Sequence, residues 1–330
     1  MSGAAAIVVR GLTKQYSPTT GVFGVDFQVA PGTVMALLGP NGAGKTTVVR
    51  ILSTLLRPDS GSVSIAGLDA LAHPDAVQSV IGVANQSAAV DEGLTGSANL
   101  AMFARLHRLS RRMRRQRSAE LLELFDLTEA AGKPVKGYSG GMRRKLDLAV
   151  ALVGRPTILF LDEPTTGLDP TSRLALWAII TSLVEQGATV VLTTQYLDEA
   201  DALAHDVTFI DDGRVIARGT PAELKSRIGG RQVDLEPVSP RAVQALAERL
   251  SEFEVTTGSR ALHVSIDDSV AELGRVLAAV EATGIPVADY GVRTPTLDDV
   301  YFHVTGHERA GLADHSGTGD SADDTRENAA

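Results

Sequence analysis

The 330 residues include no cysteine. Disulfide scaffolds, thiolate zinc sites, iron–sulfur clusters and cysteine nucleophiles are therefore excluded. Long apolar runs are missing too. No stretch of about 18 apolar residues occurs, and the most apolar region, Leu148–Leu161, is broken by Gly154, Arg155 and Pro156. The chain is not expected to span a membrane. Its opening segment, Met1–Val9, lacks the basic start and apolar stretch of a secretion signal, so a cytoplasmic protein is expected. An excess of positive charge is also absent: 31 Lys and Arg stand against 40 Asp and Glu, a net −9. That balance argues against a general nucleic-acid coat, which needs clustered positive charge.

The charge is unevenly spread. Residues 1–228 hold 23 basic and 22 acidic side chains, 229–307 hold 6 and 12, and 308–330 hold 2 and 6. A chain of this length is expected to form two domains, and the step near 228 marks a first boundary. Apolar residues at 44% are enough for ordinary cores, which excludes global disorder. The last 23 residues carry one large apolar side chain, Leu312, and read as a disordered acidic tail.

Short strands are expected at Ile7–Val9, Val25–Val29 and Val34–Leu38, then a helix from Gly44 to about Leu56, stopped by Arg57-Pro58. Strands follow at Ser62–Ala66 and Val80–Ala84, and helical periodicity runs from Gly96 to Leu127. A helix over Ser139–Leu152 leads into Thr157–Leu161, an apolar run suited to a buried parallel strand. Beyond it come helix Pro170–Glu185, strand Thr189–Leu192, helix Leu197–Ala204 and strands near Val207–Ile210 and Arg214–Ala217. Such alternation predicts a parallel sheet with helices on its faces. Residues 231–293 read as βαββαβ, a small α+β unit of the split-βαβ, ferredoxin-like kind.

Gly39-Pro40-Asn41-Gly42-Ala43-Gly44-Lys45-Thr46, followed by Thr47, fits G-x-x-x-x-G-K-[ST] between a strand and a helix. Glycines let the backbone wrap a phosphate so that successive N–H groups and the helix N-terminus point at it. Lys45 is expected to reach the β- and γ-phosphates of a nucleoside triphosphate, and the Thr46 hydroxyl to ligate Mg²⁺. The other half of such a site is an acid at the end of a buried strand. Asp162 fits a Mg²⁺ ligand, and Glu163 fits the carboxylate that polarises the attacking water. An isolated Asp-Glu after a strand is usually a solvated strand end; the phosphate loop is what changes that reading.

Tyr138-Ser139-Gly140-Gly141-Met142 opens a helix, with Ser139 24 residues before Glu163. The set resembles the ATP-binding cassette (ABC) ATPases, whose Leu-Ser-Gly-Gly-Gln signature is here varied at both ends. The resemblance implies a P-loop NTPase fold with a parallel-sheet core, an antiparallel β subdomain and an α-helical subdomain at about 87–155. It implies that Ser139, Gly140 and Gly141 bind the γ-phosphate held by a second cassette, so that a homodimer sandwiches two ATP. Tyr16 resembles the aromatic that stacks on adenine, Gln86 the glutamine that senses Mg²⁺ and water, and Asp169 the loop coupling the two sites. Plainer alternatives are a core aromatic for Tyr16 and a surface turn for Gln86. Gln195 occupies the position of the family's histidine; it can donate to phosphate but can neither carry charge nor shuttle a proton.

The strings Thr193–Ala200, Tyr138–Asp147 and Pro295–Phe302 resemble the daunorubicin/doxorubicin-resistance branch of bacterial exporters, over nearly the whole chain to about 307. That implies an energising subunit at the cytoplasmic face of a bacterial membrane. It would work with a separate integral-membrane permease, export a drug, antibiotic or lipid-like compound, and bind no nucleic acid. The alternative is a soluble ABC protein acting on the ribosome or DNA. Against it stand a single cassette and only 93 residues between Lys45 and Ser139, too few for a long inserted coiled coil.

Seven arginines lie between Arg105 and Arg117. A solvated helix pair is the plain reading; a surface near anionic lipid or a permease loop is the sharper one. Nucleic acid is a third, which no interleaved aromatics support. His303 and His307 stand four apart, a metal-compatible spacing with no third ligand, and read as a surface helix end.

Overall fold

The computed structural model describes residues 4–85, 89–228, 230–267 and 269–305. Gln86, His307 and the expected disordered tail lie outside them. The chain opens with β1 (Ile7–Gln15), β2 (Gly21–Val29), β3 (Val34–Leu38), α1 (Lys45–Leu52), β4 (Ser60–Ile65), β5 (Leu68–Asp69), α2 (Pro74–Val80) and β6 (Ile81–Ala84). Then come α3 (Gly96–Leu106), α4 (Arg111–Leu124), α5 (Gly140–Ala151), β7 (Ile158–Asp162), α6 (Pro170–Glu185), β8 (Thr189–Thr194), α7 (Leu197–Leu203), β9 (Asp206–Asp211), β10 (Arg214–Gly219) and α8 (Pro221–Ser226).

The main sheet has the order β10-β9-β3-β8-β7-β6. All its neighbours are parallel except β10 against β9. Strands β3, β7 and β8 are buried along their whole length. This is why they read as continuous apolar runs, since both sheet faces are covered. The strand period of two splits them between two cores. Val34, Ala36 and Leu38 join Leu159, Leu161, Val190 and Leu192 on the side of α5 and α6. Met35 and Leu37 join Ile158, Phe160 and Val191 on the other side, with α1 and an antiparallel sheet of order β2-β1-β4-β5. Each fully buried Leu contributes about 1.5–3 kcal/mol relative to an exposed one.

Helix α1 stops at Leu52, short of the expected Leu56. The Ser53 hydroxyl donates to the Val49 carbonyl at 2.8 Å, and Thr54 turns left-handed at φ 62°, so the helix ends before Arg57-Pro58 is reached. Two further short helices, α2 and α8, have no counterpart in the sequence reading.

The second body comprises β11 (Arg231–Pro237), α9 (Pro240–Arg249), β12 (Val255–Thr257), β13 (Leu262–Ile266), α10 (Val270–Thr283) and β14 (Val287–Arg293). Its sheet is antiparallel with the order β12-β13-β11-β14, the split-βαβ arrangement. Val233, Leu235, Leu262 and Val264 line its own core with Leu246 and Val276 from the helices. The chain then returns to the first body through α11 (Leu297–Thr305). Leu297 and Val300 are buried in the first core, and the Tyr301 ring stacks on Phe209 at 6.0 Å. The return is fastened by Arg293, which donates to Asp234 of β11 at 2.6 Å and to Asp299 of α11 at 2.5 Å.

Candidate active site

Because β3, β7 and β8 are parallel and in register, their C-terminal ends meet at one edge: Leu38 lies beside Thr194, and Asp162 beside Thr193. The segment Gly39–Gly44 and the residues after Asp162 and Thr194 therefore share one crevice, the usual ligand position in open α/β sheets. At Gly39 a Cβ would fall 2.0 Å from the Ile210 carbonyl oxygen, so only glycine fits. Gly42 (φ 86°) and Gly44 (φ 103°) take left-handed backbone that a side chain resists. Gly44 is the N-cap of α1 and offers no side-chain acceptor. The N–H groups of the first turn are thus left for an outside acceptor, and an anion suits them.

Lys45 is buried and donates to the Gly39 and Pro40 carbonyls at 2.7 and 3.0 Å, with Glu163 Oε1 at 4.0 Å. Burial pushes its ammonium pKa down, opposed by the charges of Glu163 and Asp162. Asp162 is buried; its Oδ1 accepts from Thr193 Oγ1 at 2.5 Å and from Thr46 Oγ1 at 3.3 Å. Glu163 sits at φ 48°, an uncommon left-handed conformation for a non-glycine residue. It is held by its N–H to Thr193 Oγ1 at 3.0 Å and by the Thr166 hydroxyl to its Oε2 at 3.3 Å. Such an outlier is the kind of local strain that clusters at functional sites.

Lys45, Thr46, Thr47, Glu163 and Gln195 line one cavity of about 430 Å³ with Asn41, Gly42 and Gly44. A neighbouring hollow of about 260 Å³ is walled by Gly39, Pro40, Asn41, Gln195 and Tyr301. Ala43 points away into the core. A larger hollow of about 600 Å³ lies elsewhere, but its charged groups are satisfied among themselves: Arg218 pairs with Asp206 at 2.6 Å, and Glu223 accepts from Thr220 N–H at 2.9 Å.

The remaining sequence candidates stand apart from that cavity. Tyr16 is 56% exposed, which removes the core-aromatic alternative. Ser139 is exposed and caps α5, accepting from Met142 N–H at 3.2 Å. Gly141 abuts α6, where a Cβ would fall 2.6 Å from Ser172 Oγ. That hydroxyl donates to Asp169 at 2.6 Å, so Asp169 and the Ser-Gly-Gly turn are joined through Ser172. Hydrogen bonds from the Ser172 hydroxyl and backbone hold the Asp169 carboxyl below the ordinary range.

Three residues of consequence were not singled out from the sequence. Arg144 of α5 fans its guanidinium over four carbonyls: Asn85 at 2.7 Å, Asp162 and Pro164 at 2.8 Å, and Glu163 at 3.0 Å. One helical turn on, the buried Asp147 accepts from Ala89 N–H at 2.9 Å. Residues 85 and 89, on either side of Gln86 in the sequence, are thus held by one face of the helix that Ser139 caps. Burial raises the Asp147 carboxyl despite these amides and the nearby Arg144. The third is Glu199, fully buried under Thr194 with the Trp177 indole donating at 3.1 Å; burial pushes its carboxyl up. Asp147 was discoverable as the one acid within the apolar run Leu146–Leu152.

The family model described as "ABC transporter" matches residues 22–166, and "ATP-binding protein DrrA1-3-like, C-terminal domain" matches 219–305. A daunorubicin resistance ATP-binding protein of Streptomyces coeruleorubidus is 49% identical over 92% of this chain and 97% of its own. A daunorubicin/doxorubicin resistance ATP-binding protein of Streptomyces peucetius is 46% identical over 97% of both chains. Among solved structures, a dimeric post-hydrolysis ATP-binding cassette with ADP and Pi is 25% identical, with a TM-score of 0.59 over 65% of this chain and 98% of that one.

Proposed function

The chain belongs to the ABC transporter ATP-binding subunits of the daunorubicin/doxorubicin-resistance type, and from that premise we propose that it powers export of an amphipathic drug, antibiotic or lipid-like compound through a separate membrane permease. It is an ATPase that binds ATP. The observation that carries the site assignment is the convergence of Lys45, Thr46, Glu163 and Gln195 on one cavity, with Asp162 bonded to Thr46 behind it. On this reading Gly39–Gly44 and the first turn of α1 cradle the phosphates, and Lys45 leaves its own loop carbonyls to pair with the β- and γ-phosphates.

The residues present suit Mg²⁺. Thr46 Oγ1 and Asp162 Oδ1, 3.3 Å apart, are hard oxygen donors, and the described residues contain no group of three acids or histidines that would cage a metal by itself. Mg²⁺ is typically held in this way, by one or two protein oxygens plus phosphate and water. Thr46, Asp162 and Gln86 would hold it, and bound there it supplies charge that offsets the negative phosphate oxygens. Glu163 accepts the proton of the attacking water while Thr166 and Thr193 fix its orientation. Gln195 donates a hydrogen bond to the γ-phosphate. Ser139, Gly140 and Gly141 complete the site of a second copy, Asp169 links the two sites, and Tyr16 stacks on adenine.

Residues 1–228 are read as the ATPase unit, with its helical part at about 87–155, and 229–307 as an accessory unit. Among the described residues no helix is long and apolar enough to cross a membrane, which suits a subunit held peripherally at the cytoplasmic face. The soluble ribosome- or DNA-acting alternative is not favoured, since the relatives named above are drug-resistance proteins. Steady-state hydrolysis and size exclusion test the assignment together. Lys45→Ala is expected to lose Mg²⁺-dependent ATPase activity, and Glu163→Gln to retain ATP and accumulate as a dimer. Parental turnover in Glu163→Gln would refute the role given to that carboxylate. Co-expression with a candidate permease, scored by drug efflux, tests the export step.

A further inference from the structure

The tip of the α3–α4 hairpin collects charge and apolar surface that nothing inside the protein uses. Seven arginines fall between 105 and 117, and not one Asp or Glu occurs from Gly93 to Ala119. The seventh, Arg117, is structural: it donates to the Leu152 carbonyl at 2.6 Å and pairs with Glu120 at 3.2 Å. Among the described residues the other six form no ion pair. Arg105, Arg108, Arg111, Arg112 and Arg115 are exposed. Arg108 takes left-handed backbone at φ 57° in the turn itself.

Apolar side chains stand among them. Leu106 is 69% exposed and Met113 54%, and Met102 lies one helical turn before Leu106. Scattered exposed apolar residues need no explanation, but here two fall within the stretch that concentrates the arginines and a third lies just before it. Buried apolar contact and cationic attraction together are what interfacial binding to an anionic bilayer requires. A single-stranded nucleic-acid surface would instead want stacking aromatics, and residues 104–117 contain no Phe, Tyr or Trp.

We propose that the hairpin tip, centred on Leu106 and Met113 and rimmed by Arg105, Arg108, Arg111 and Arg112, binds the anionic lipid surface of the membrane directly, without the permease. The inference refines the peripheral placement proposed above and fails separately from it, because lipid binding is read with no membrane protein present and ATPase activity is read with no lipid.

The test is co-sedimentation of the full-length protein with vesicles of equal parts phosphatidylcholine and phosphatidylglycerol, and with phosphatidylcholine alone. Binding to the anionic vesicles only is expected, weakening as salt is raised. Each arginine near such a surface strengthens binding about fivefold. The triple variant Arg105→Ala, Arg111→Ala, Arg112→Ala should therefore bind on the order of a hundredfold more weakly, at unchanged ATPase rate in solution. Leu106→Ser should weaken binding at low and high salt alike. Three results overturn the proposal: no binding to the anionic vesicles, equal binding to neutral ones, or binding that the triple variant leaves intact. Tighter binding to DNA than to anionic vesicles at matched salt would reassign the surface to nucleic acid.

Discussion

Replacing Arg144 by alanine removes a side chain that ties α5 both to Asn85, just past β6, and to the end of β7 and the segment after it. Its guanidinium makes four hydrogen bonds to carbonyls of three successive residues, Asp162, Glu163 and Pro164, and of the distant Asn85. A hydrogen bond from a charged group is worth about 1.5–3 kcal/mol, and four sharing one guanidinium do not add in full. Burial also lowers its pKa, a mark of the desolvation the bonds must offset. We therefore expect Arg144→Ala to lose about 3–5 kcal/mol, since four carbonyls lose their donor at about 1–3 kcal/mol each and the losses do not add in full. Urea unfolding followed by the single tryptophan, Trp177, reads the first body, where that residue packs.

Kinetics separate positioning from folding. Arg144 lines neither hollow beside the phosphate loop, but it fixes the backbone of Glu163, and a displacement of about 1 Å at a catalytic group costs on the order of a hundredfold in rate. The expected result is a fall in kcat with KM for ATP near the parental value. Arg144→Lys keeps the charge but loses the planar fork, so it should recover part of the stability and little of the rate. Parental kcat in a folded Arg144→Ala protein would refute the reasoning, as would a loss of stability below about 0.5 kcal/mol, the range of ordinary surface changes.

Other outcomes follow from the same geometry. Gly39→Ala drives a methyl group into the Ile210 carbonyl and should abolish ATP retention on filter binding while the second body still melts normally. Gln195→His introduces a group that titrates near neutrality, so the pH–kcat profile should gain an inflection near pH 6.5 that the parent lacks. Burial alone would raise the Asp234 carboxyl, but the His263 hydrogen bond and the Arg293 charge outweigh it and hold the group below the ordinary range. A depressed acid contributes stability above its unfolded pKa and loses it as pH falls through the folded value. Thermal melts should therefore show the second body weakening below about pH 4, and Asp234→Asn should flatten that dependence.

What was legible in the sequence is whatever is written in contiguous residues. The strand–loop–helix of the phosphate loop, the fully apolar strands β3 and β7, and the βαββαβ order all depend on local pattern. Arg144 was invisible because its partners are carbonyls, which every residue carries. Thr193 and Asp162 meet only through strand register, 31 positions apart. Helix α8 was missed, and α11 was read only as a helix end at His303, for a different reason. Thr220-x-x-Glu223 and Thr296-x-x-Asp299 are both start signals of the Ser/Thr-x-x-acid type, and both close reciprocal hydrogen bonds. The signal was present, but each helix is too short to show a periodicity. The positive φ of Glu163 leaves no trace in residue type at all.

The path of the chain after Arg293 has a practical consequence. The second body is entered from α8 and left through α11, both packed on the first body, so topologically it is an insertion and not a removable tail. A truncation after residue 228 would also strip Leu297, Val300 and Tyr301 from the surface they cover, uncovering Phe209 and one wall of the hollow beside Pro40. Loss of activity in such a fragment would say little about the second body. An internal deletion that joins 228 to 295 through a flexible Gly/Ser linker, leaving α11 in place, is the edit that isolates it.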